Sequence, residues 1–173
     1  MIELLRKRRS IRKYKDKRIE PEKVELLKEA ILRSPSSRGR NPWRFIFVDK
    51  KSLLKKLSKA KPHGGLFLQG AALGIIVCGN SEKSDAWIED CSICSIIAQL
   101  QAEDLGLGSC WIQIRGRKHD EKLSAEDYIK KLLNIPEKFS VESIISIGYP
   151  DEEKNEITMN QLEFNKIFEN KFK

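Results

Sequence analysis

No apolar run in this 173-residue chain approaches the ~20 residues that a membrane-spanning helix needs. The residues after Leu5 are too charged to form the apolar core of a secretory signal, so a cytoplasmic protein with no membrane partner is expected. Glycine is missing where nucleotide-binding folds require it. No Rossmann or Walker fingerprint stands between a first strand and its helix; Gly106-Leu107-Gly108 follows a helix, and Gly64-Gly65 is a lone pair. A bound phosphate must therefore be held by side chains. Histidine is nearly absent, and His63 and His119 are too far apart in sequence to build a metal site, the latter reading as a surface residue among Arg115, Arg117 and Lys118. Cys91 and Cys94 have a CxxC spacing but no second pair at ligand distance. With Cys78 and Cys110 they lie in apolar segments, as reduced thiols packed in a core do, and no metal is expected. There is no internal repeat or low-complexity linker, so residues 1–173 read as one domain burying roughly 70% of its unfolded surface.

What the chain holds in excess is positive charge, and in one place. Nine of the 33 Lys and Arg fall between Arg6 and Arg18, where Asp16 is the only acid; that run carries +8, the net charge of the whole chain. Basic runs of this kind are commonly solvated or loosely bound to nucleic acid. A nucleic-acid surface, however, spreads its charge over several elements and interleaves aromatics, and neither is seen here, so a basic nucleic-acid-binding domain is the least favoured reading. Arg8-Arg9-Ser10-Ile11-Arg12 is suited instead to a compact anion such as a phosphate, with Arg supplying forked donors and Ser a short one. A second polar cluster, Ser34 to Trp43, follows a helix later.

Helix and strand alternate along the chain. A short basic helix is predicted from Ile2 to about Arg9, and a second opens at Pro21 and stops at Ser34-Pro35. Trp43 to Val48 reads as a strand, Ser52 as the cap of a short helix, and Lys61 to Gly65 as a loop. Ala71 to Cys78 is apolar throughout, the pattern of a strand covered on both faces. Asp85 to Leu105 reads as a long core helix with little polar surface, ended by Gly106; a strand from Ser109 to Ile114, a helix capped by Ser124 and a strand from Val141 to Ile147 complete the order. The apolar residues of the tail, Leu162, Phe164, Ile167, Phe168 and Phe172, have no home in so small a domain and point to a second subunit.

Four motifs in register carry a family resemblance: Arg8-Arg9-Ser10-Ile11-Arg12; Ser34-Pro35-Ser36-Ser37 with Asn41-Pro42-Trp43; Leu105 to Ile112 after the long helix; and Ile147-Gly148-Tyr149-Pro150. Together they resemble the nitroreductase family of FMN-dependent NAD(P)H oxidoreductases, in a compact subgroup. The resemblance implies an α+β fold with a mixed, mainly antiparallel sheet flanked by helices. It also implies an intertwined homodimer with FMN at the interface and the tail from about 160 to 173 docked on the partner. NADH or NADPH would be the reductant and a small acceptor, a nitroaromatic or quinone, the oxidant; a non-catalytic flavin-binding protein of the same fold is the alternative.

Carried over position by position, the resemblance gives Arg8, Ser10 and Arg12 to the FMN phosphate and ribityl chain and Arg9 to the isoalloxazine edge. Pro35, Ser36, Ser37, Arg38 and Asn41 fall in the segment that reaches the flavin from the other subunit. Cys110, Trp111, Gln113 and Gly148 line its ring and edge. No side chain acts as a nucleophile, because hydride passes between nicotinamide and flavin. Two departures stand out. Where many relatives carry a basic patch after Gly148-Tyr149-Pro150, this chain has Asp151-Glu152-Glu153-Lys154-Asn155, in which only Lys154 offers a replacement cation, and Asn41 stands where a Gln is usual. Arg38, Arg40, Arg115 and Arg117 are the candidates for a dinucleotide 2′-phosphate.

Overall fold

A computed structural model describes residues 1–172. Its centre is a four-stranded sheet of β1 (Trp43–Val48), β2 (Leu73–Gly79), β3 (Gly108–Gln113) and β4 (Ser140–Gly148) in the order β1-β2-β4-β3. Five helices surround it: α1 (Ile2–Lys7), α2 (Pro21–Leu32), α3 (Lys51–Leu57), α4 (Trp87–Asp104) and α5 (Ala125–Leu133). The α+β expectation holds, but every strand pair is antiparallel rather than mixed. The parallel element is reduced to one bridge, Ser10 with Ser109.

Side-chain alternation along the strands divides the core in two. Ile76 and Ile144 point to the layer of α3 and α5, meeting Leu54, Leu57, Ile112 and Ile129. Ile75, Val77, Ile145 and Ile147 point to the layer of α2 and α4, meeting Leu27, Ile31, Cys91, Cys94 and Ala98. β2 is thus buried at every position, as its unbroken apolar run requires. One irregularity breaks the alternation. Val77 pairs with Ser143 but Cys78 with Val141, which leaves Glu142 as the extra residue of a β-bulge, its carbonyl accepting the N–H groups of both Ile114 and Arg115 at 3.2 and 3.1 Å.

The basic run lies along the sheet rather than in solvent. After α1, which ends two residues earlier than predicted, the chain extends beside β3, where the Ile11 N–H donates to the Ser109 carbonyl at 2.9 Å. It then pairs with the segment after β4: Tyr14 bridges Pro150, the Lys15 N–H donates to Tyr149 and the Asp151 N–H to Lys13. Ser52 does not cap α3, whose N-cap is Lys50 with no side-chain hydrogen bond; the charged loop Asp49-Lys50 supplies the turn instead. Ser124 does cap α5, accepting from the Asp127 N–H at 2.9 Å.

α4 carries apolar residues around its circumference, with Asp90, Ser95 and Gln99 buried among them, yet Ile93 and Ile96 are 37% and 38% exposed, so one stripe of this central helix faces outward. The tail behaves alike. Beyond Asp151 its described residues form two short 3₁₀ turns, and Leu162, Phe164, Ile167, Phe168 and Phe172 are all exposed.

Candidate functional site

The buried thiol of Cys110, at the second turn of the β3 pleat, marks where the basic run converges. Its hydrogen bond goes to the Trp111 carbonyl at 3.6 Å, and Ser10, Arg12, Arg8 and Lys61 all act on its ionisation. Burial pushes the thiol up, and these neighbours pull the other way without overcoming it. Neither guanidinium has a carboxylate partner among the described residues, although 13 other ion pairs form. Arg12 stands instead 5.7 Å from the centre of the Phe67 ring. Two unpaired guanidiniums beside a hydroxyl are what a dianionic phosphate requires.

The run is pinned by the acidic stretch that replaces a basic patch. Glu152 Oε1 accepts the backbone N–H groups of Arg12 and Lys13 at 2.5 and 3.2 Å, and the Arg12 bond in particular holds this carboxyl below the usual range. Lys154 pairs with Glu152 at 3.2 Å, so its charge is spent on the fold. Arg9 turns away from the others and donates to the Asn155 carbonyl. Gly148 pairs with Gly108 across the sheet and lies under Tyr14, whose ring carbon stands 2.9 Å from the place of a Cβ.

Trp111 and Gln113 are found on the opposite sheet face from Cys110. The Trp111 indole N–H donates to Gln113 Oε1 at 2.9 Å, and the Gln113 amide donates to the Arg115 carbonyl at 3.1 Å and to Glu142 Oε1 at 3.4 Å. Arg115 Nε lies 3.0 Å from Glu142 Oε2, a buried oxygen with no hydrogen bond of its own, so the pair is charge contact rather than an aligned bond. The backbone of these two residues has a second use. Ser109 offers its carbonyl outward to Ile11, and by the alternation of an antiparallel pair Trp111 and Gln113 present their main-chain groups to the same open edge.

The Ser34–Asn41 segment lies elsewhere. Its Ser37 N–H donates to buried Asp90 in the first turns of α4 at 2.8 Å, and the Ser36 hydroxyl donates to the Asn41 side chain at 2.6 Å while accepting the Asn41 N–H at 2.9 Å. Arg38, Gly39 and Asn41 all have positive φ (52°, 63° and 47°), an uncommon run that those bonds hold in place. Pro35 and Arg38 are exposed. Arg8, by contrast, acts on Glu103 near the other end of α4. Asp90 and Glu103 are thirteen positions apart on one helix, about 20 Å along its axis, so the two groups of site residues are tied to opposite ends of α4.

The Nitroreductase family profile matches residues 5–64 and 59–149. The chain belongs to the nitroreductase family. A protein of Archaeoglobus fulgidus named "Putative NADH dehydrogenase/NAD(P)H nitroreductase" is 37% identical over 158 residues, covering 89% of this chain and 87% of its own length. Among solved structures, an FMN-dependent nitroreductase from Clostridium difficile R20291 is 50% identical and superposes with a TM-score of 0.98 over 99% of this chain and 100% of its own.

The four arginines named above as 2′-phosphate candidates differ in their pairing. Arg40 is paired with Asp85 at 3.2 Å and Arg115 with Glu142, while Arg38 and Arg117 have no carboxylate among the described residues. His119 is half-buried rather than on the surface, stacked on Tyr128 at 4.2 Å with Nδ1 3.2 Å from the Ala60 carbonyl. Cys91 and Cys94 are fully buried core residues, and no cluster of metal-ligating side chains occurs among the described residues. No helix of the described residues is long and apolar enough to cross a membrane. Sequence reasoning missed Glu152, Asp90 and Glu142. The first was visible only as an acid in an expected basic patch, and the others as lone carboxylates inside apolar segments.

Proposed function

We propose that this chain is an FMN-dependent NAD(P)H oxidoreductase that passes electrons to a small acceptor of the nitroaromatic or quinone class. The observation that carries the reading is the convergence of Arg8, Ser10 and Arg12 on Cys110, with neither guanidinium in an ion pair among the described residues. These residues fit a flavin phosphate: two forked cations and one hydroxyl, on a segment fixed by Ile11, Tyr14 and Glu152. When bound, FMN supplies the hydride-accepting ring and hands electrons on. The chain itself binds, orients and shields. Arg8 and Arg12 hold the phosphate, and the open edge of β3 at Trp111 and Gln113 offers backbone donors and acceptors to the ring. Gly148 sets the close sheet approach beneath Tyr14.

The site is read as shared by two chains. What supports this is that the two groups are tied to opposite ends of α4, and that the outward stripe of Ile93 and Ile96 offers a surface through which a homodimer would bring Arg8 of one chain toward the Ser36-Ser37 loop of the other. The exposed apolar tail then rests on the partner. Pro35, Ser36, Ser37, Arg38 and Asn41 would complete the partner's site.

The test is the anaerobic visible spectrum of the purified protein. A flavin spectrum bleached by NADH or NADPH and restored by a quinone is the expected result. A flavin spectrum that neither dinucleotide bleaches would show a flavin-binding protein without this activity, and a colourless protein that takes up no FMN would remove the reading.

A further inference from the structure

Asp90 stands in the first turn of α4 with 2% of its surface exposed. Among the described residues its side chain accepts the Ser37 N–H at 2.8 Å and, more weakly, the Ser84 hydroxyl at 3.4 Å. A carboxyl buried on so few partners lowers stability, and an apolar residue of similar size would pack there at less cost. Packing does not account for it, but the Ser37 bond does. Ser37 opens a 3₁₀ turn (Ser37–Gly39), and the first N–H groups of a helical turn have no partner inside it. Ser36, placed to cap that turn, makes no capping bond, because its hydroxyl donates to the Asn41 side chain and accepts the Asn41 N–H. Asp90 supplies the missing acceptor from another element.

The turn needs an outside hold. Arg38 and Asn41 take φ of 52° and 47°, the left-handed region in which a non-glycine residue is strained, and such backbone persists only where its surroundings over-determine it. Residues 83–90 grip it at three points: Asp90 on the Ser37 N–H, Lys83 Nζ on the Asn41 carbonyl at 3.3 Å, and Asp85 on Arg40 at 3.2 Å. The Arg40 pair is exposed at Asp85 and contributes little in water. The short, buried bond is the one that fixes the loop against α4. We propose that Asp90 is a positioning residue: by accepting the Ser37 N–H it sets the Ser36-Ser37 backbone and the exposed Arg38 in the shape that the partner's flavin site takes up. The inference rests on the shared-site reading above and adds to it the residue of α4 that holds the donated loop. Asp90 acts through that loop on the cofactor of the other chain, and not on the one beside its own Arg8 and Arg12.

The measurement is the dissociation constant for FMN, by fluorescence quenching on flavin-depleted full-length protein, in the wild type and in Asp90→Asn, Asp90→Leu and Ser95→Ala. Asparagine keeps an oxygen for the Ser37 N–H and should bind FMN nearly as the wild type does, while leucine fills the space without an acceptor and should weaken FMN about tenfold. Ser95→Ala removes a buried hydroxyl bonded to the Cys91 carbonyl and to Ser143; it should lower the melting temperature and leave FMN affinity unchanged, which separates a loosened α4 from a displaced loop. Should Asp90→Leu melt early, Ser37→Pro deletes the same bond from the loop side with α4 intact, the extended Ser36 being suited to precede a proline, and its loss of affinity beyond that of Ser37→Ala becomes the readout. A second readout is complementation: co-expressed with a chain carrying Arg8→Ala and Arg12→Ala, the Asp90→Leu chain should fill up to about half of the sites in each heterodimer. Unchanged FMN affinity in Asp90→Leu, an equal loss in Asp90→Asn and Asp90→Leu, or equal affinities in Ser37→Pro and Ser37→Ala would overturn the proposal. So would flavin-free heterodimers in this pairing while a chain altered at Ser36 and Ser37 does complement the Arg8 and Arg12 chain; if neither pairing holds flavin, the shared-site reading itself fails and the inference with it.

Discussion

The side chain of Ile11 occupies the space where a Cβ on Gly108 would stand: three of its carbons lie 2.8 Å from that point. The middle of the Arg8–Arg12 motif is thereby locked onto the first residue of β3. Gly108→Ala should force Ile11 outward, lowering stability by about 1–3 kcal/mol, the usual range for overpacking. FMN affinity should fall with it, because Ser10 and Arg12 flank the displaced residue. A thermal melt and an FMN titration on the same variant check both, and a loss of stability without loss of affinity would show that the lock does not position the cations.

Arg8→Ala and Arg12→Ala should each weaken FMN binding by about 1.5–3 kcal/mol, the scale of a charge-assisted hydrogen bond, with the fold nearly intact. Lysine at either position should rescue only in part. Isothermal titration settles it, and unchanged affinity in both variants would contradict the proposed site.

Glu152 gives the site a pH dependence of known sign. Its folded-state pKa is depressed, chiefly by the Arg12 N–H, so its contribution is complete above the ordinary glutamate value of about 4.3 and is lost as pH falls through the depressed value. Acidification should therefore release FMN as the run from Ser10 to Lys13 loosens. In Glu152→Gln this acid step should shrink and retention at neutral pH should be lower. Free-flavin fluorescence against pH reads it, and superimposable curves for the two proteins would count against the pin.

All four thiols are buried, and burial pushes Cys78 up to about 12 and Cys94 up to about 11. A thiol-disulfide reagent at pH 8 should modify none of them in the folded protein on the timescale in which it modifies four after denaturation. Rapid modification of a single cysteine without unfolding would show that Cys110 or its neighbours open to solvent.

Shared sites predict complementation. Co-expressing a chain altered at Arg8 and Arg12 with one altered at Ser36 and Ser37 should restore up to about half of the sites in each heterodimer, since one composite site is then wholly wild type. Flavin content of the purified heterodimer is the readout. Confirmed heterodimers that hold no flavin would place each site within one chain.

Much of this arrangement is legible in the residues because it depends on pattern. The unbroken apolar run of β2, the largely buried α4 and the Ser124 cap each follow from side-chain period and local hydrogen bonding. The Arg-Arg-Ser-Ile-Arg motif shows its anion chemistry directly. Strand direction is another matter, since apolar strands read the same either way, and the expected mixed sheet is antiparallel. Glu142 enters the Gln113 network only because a bulge shifts register by one residue, which no local preference announces. Glu152 reaches the site through contacts between distant segments, and in the sequence it is one charge among many. Ser52 reads as a cap because it is Ser; the turn closes two residues earlier.

The pairing of residues 10–15 with β3 and the segment after β4 has a consequence beyond ligand binding. β3 is the last strand of the sheet, and an uncovered last strand is a template on which other chains can add. The basic run covers its start, at Ser109. Because one stretch of chain both charges the site and closes the start of that margin, a truncation that removes it would add a solubility defect to a ligand-binding defect, and selection on either property constrains the same few residues.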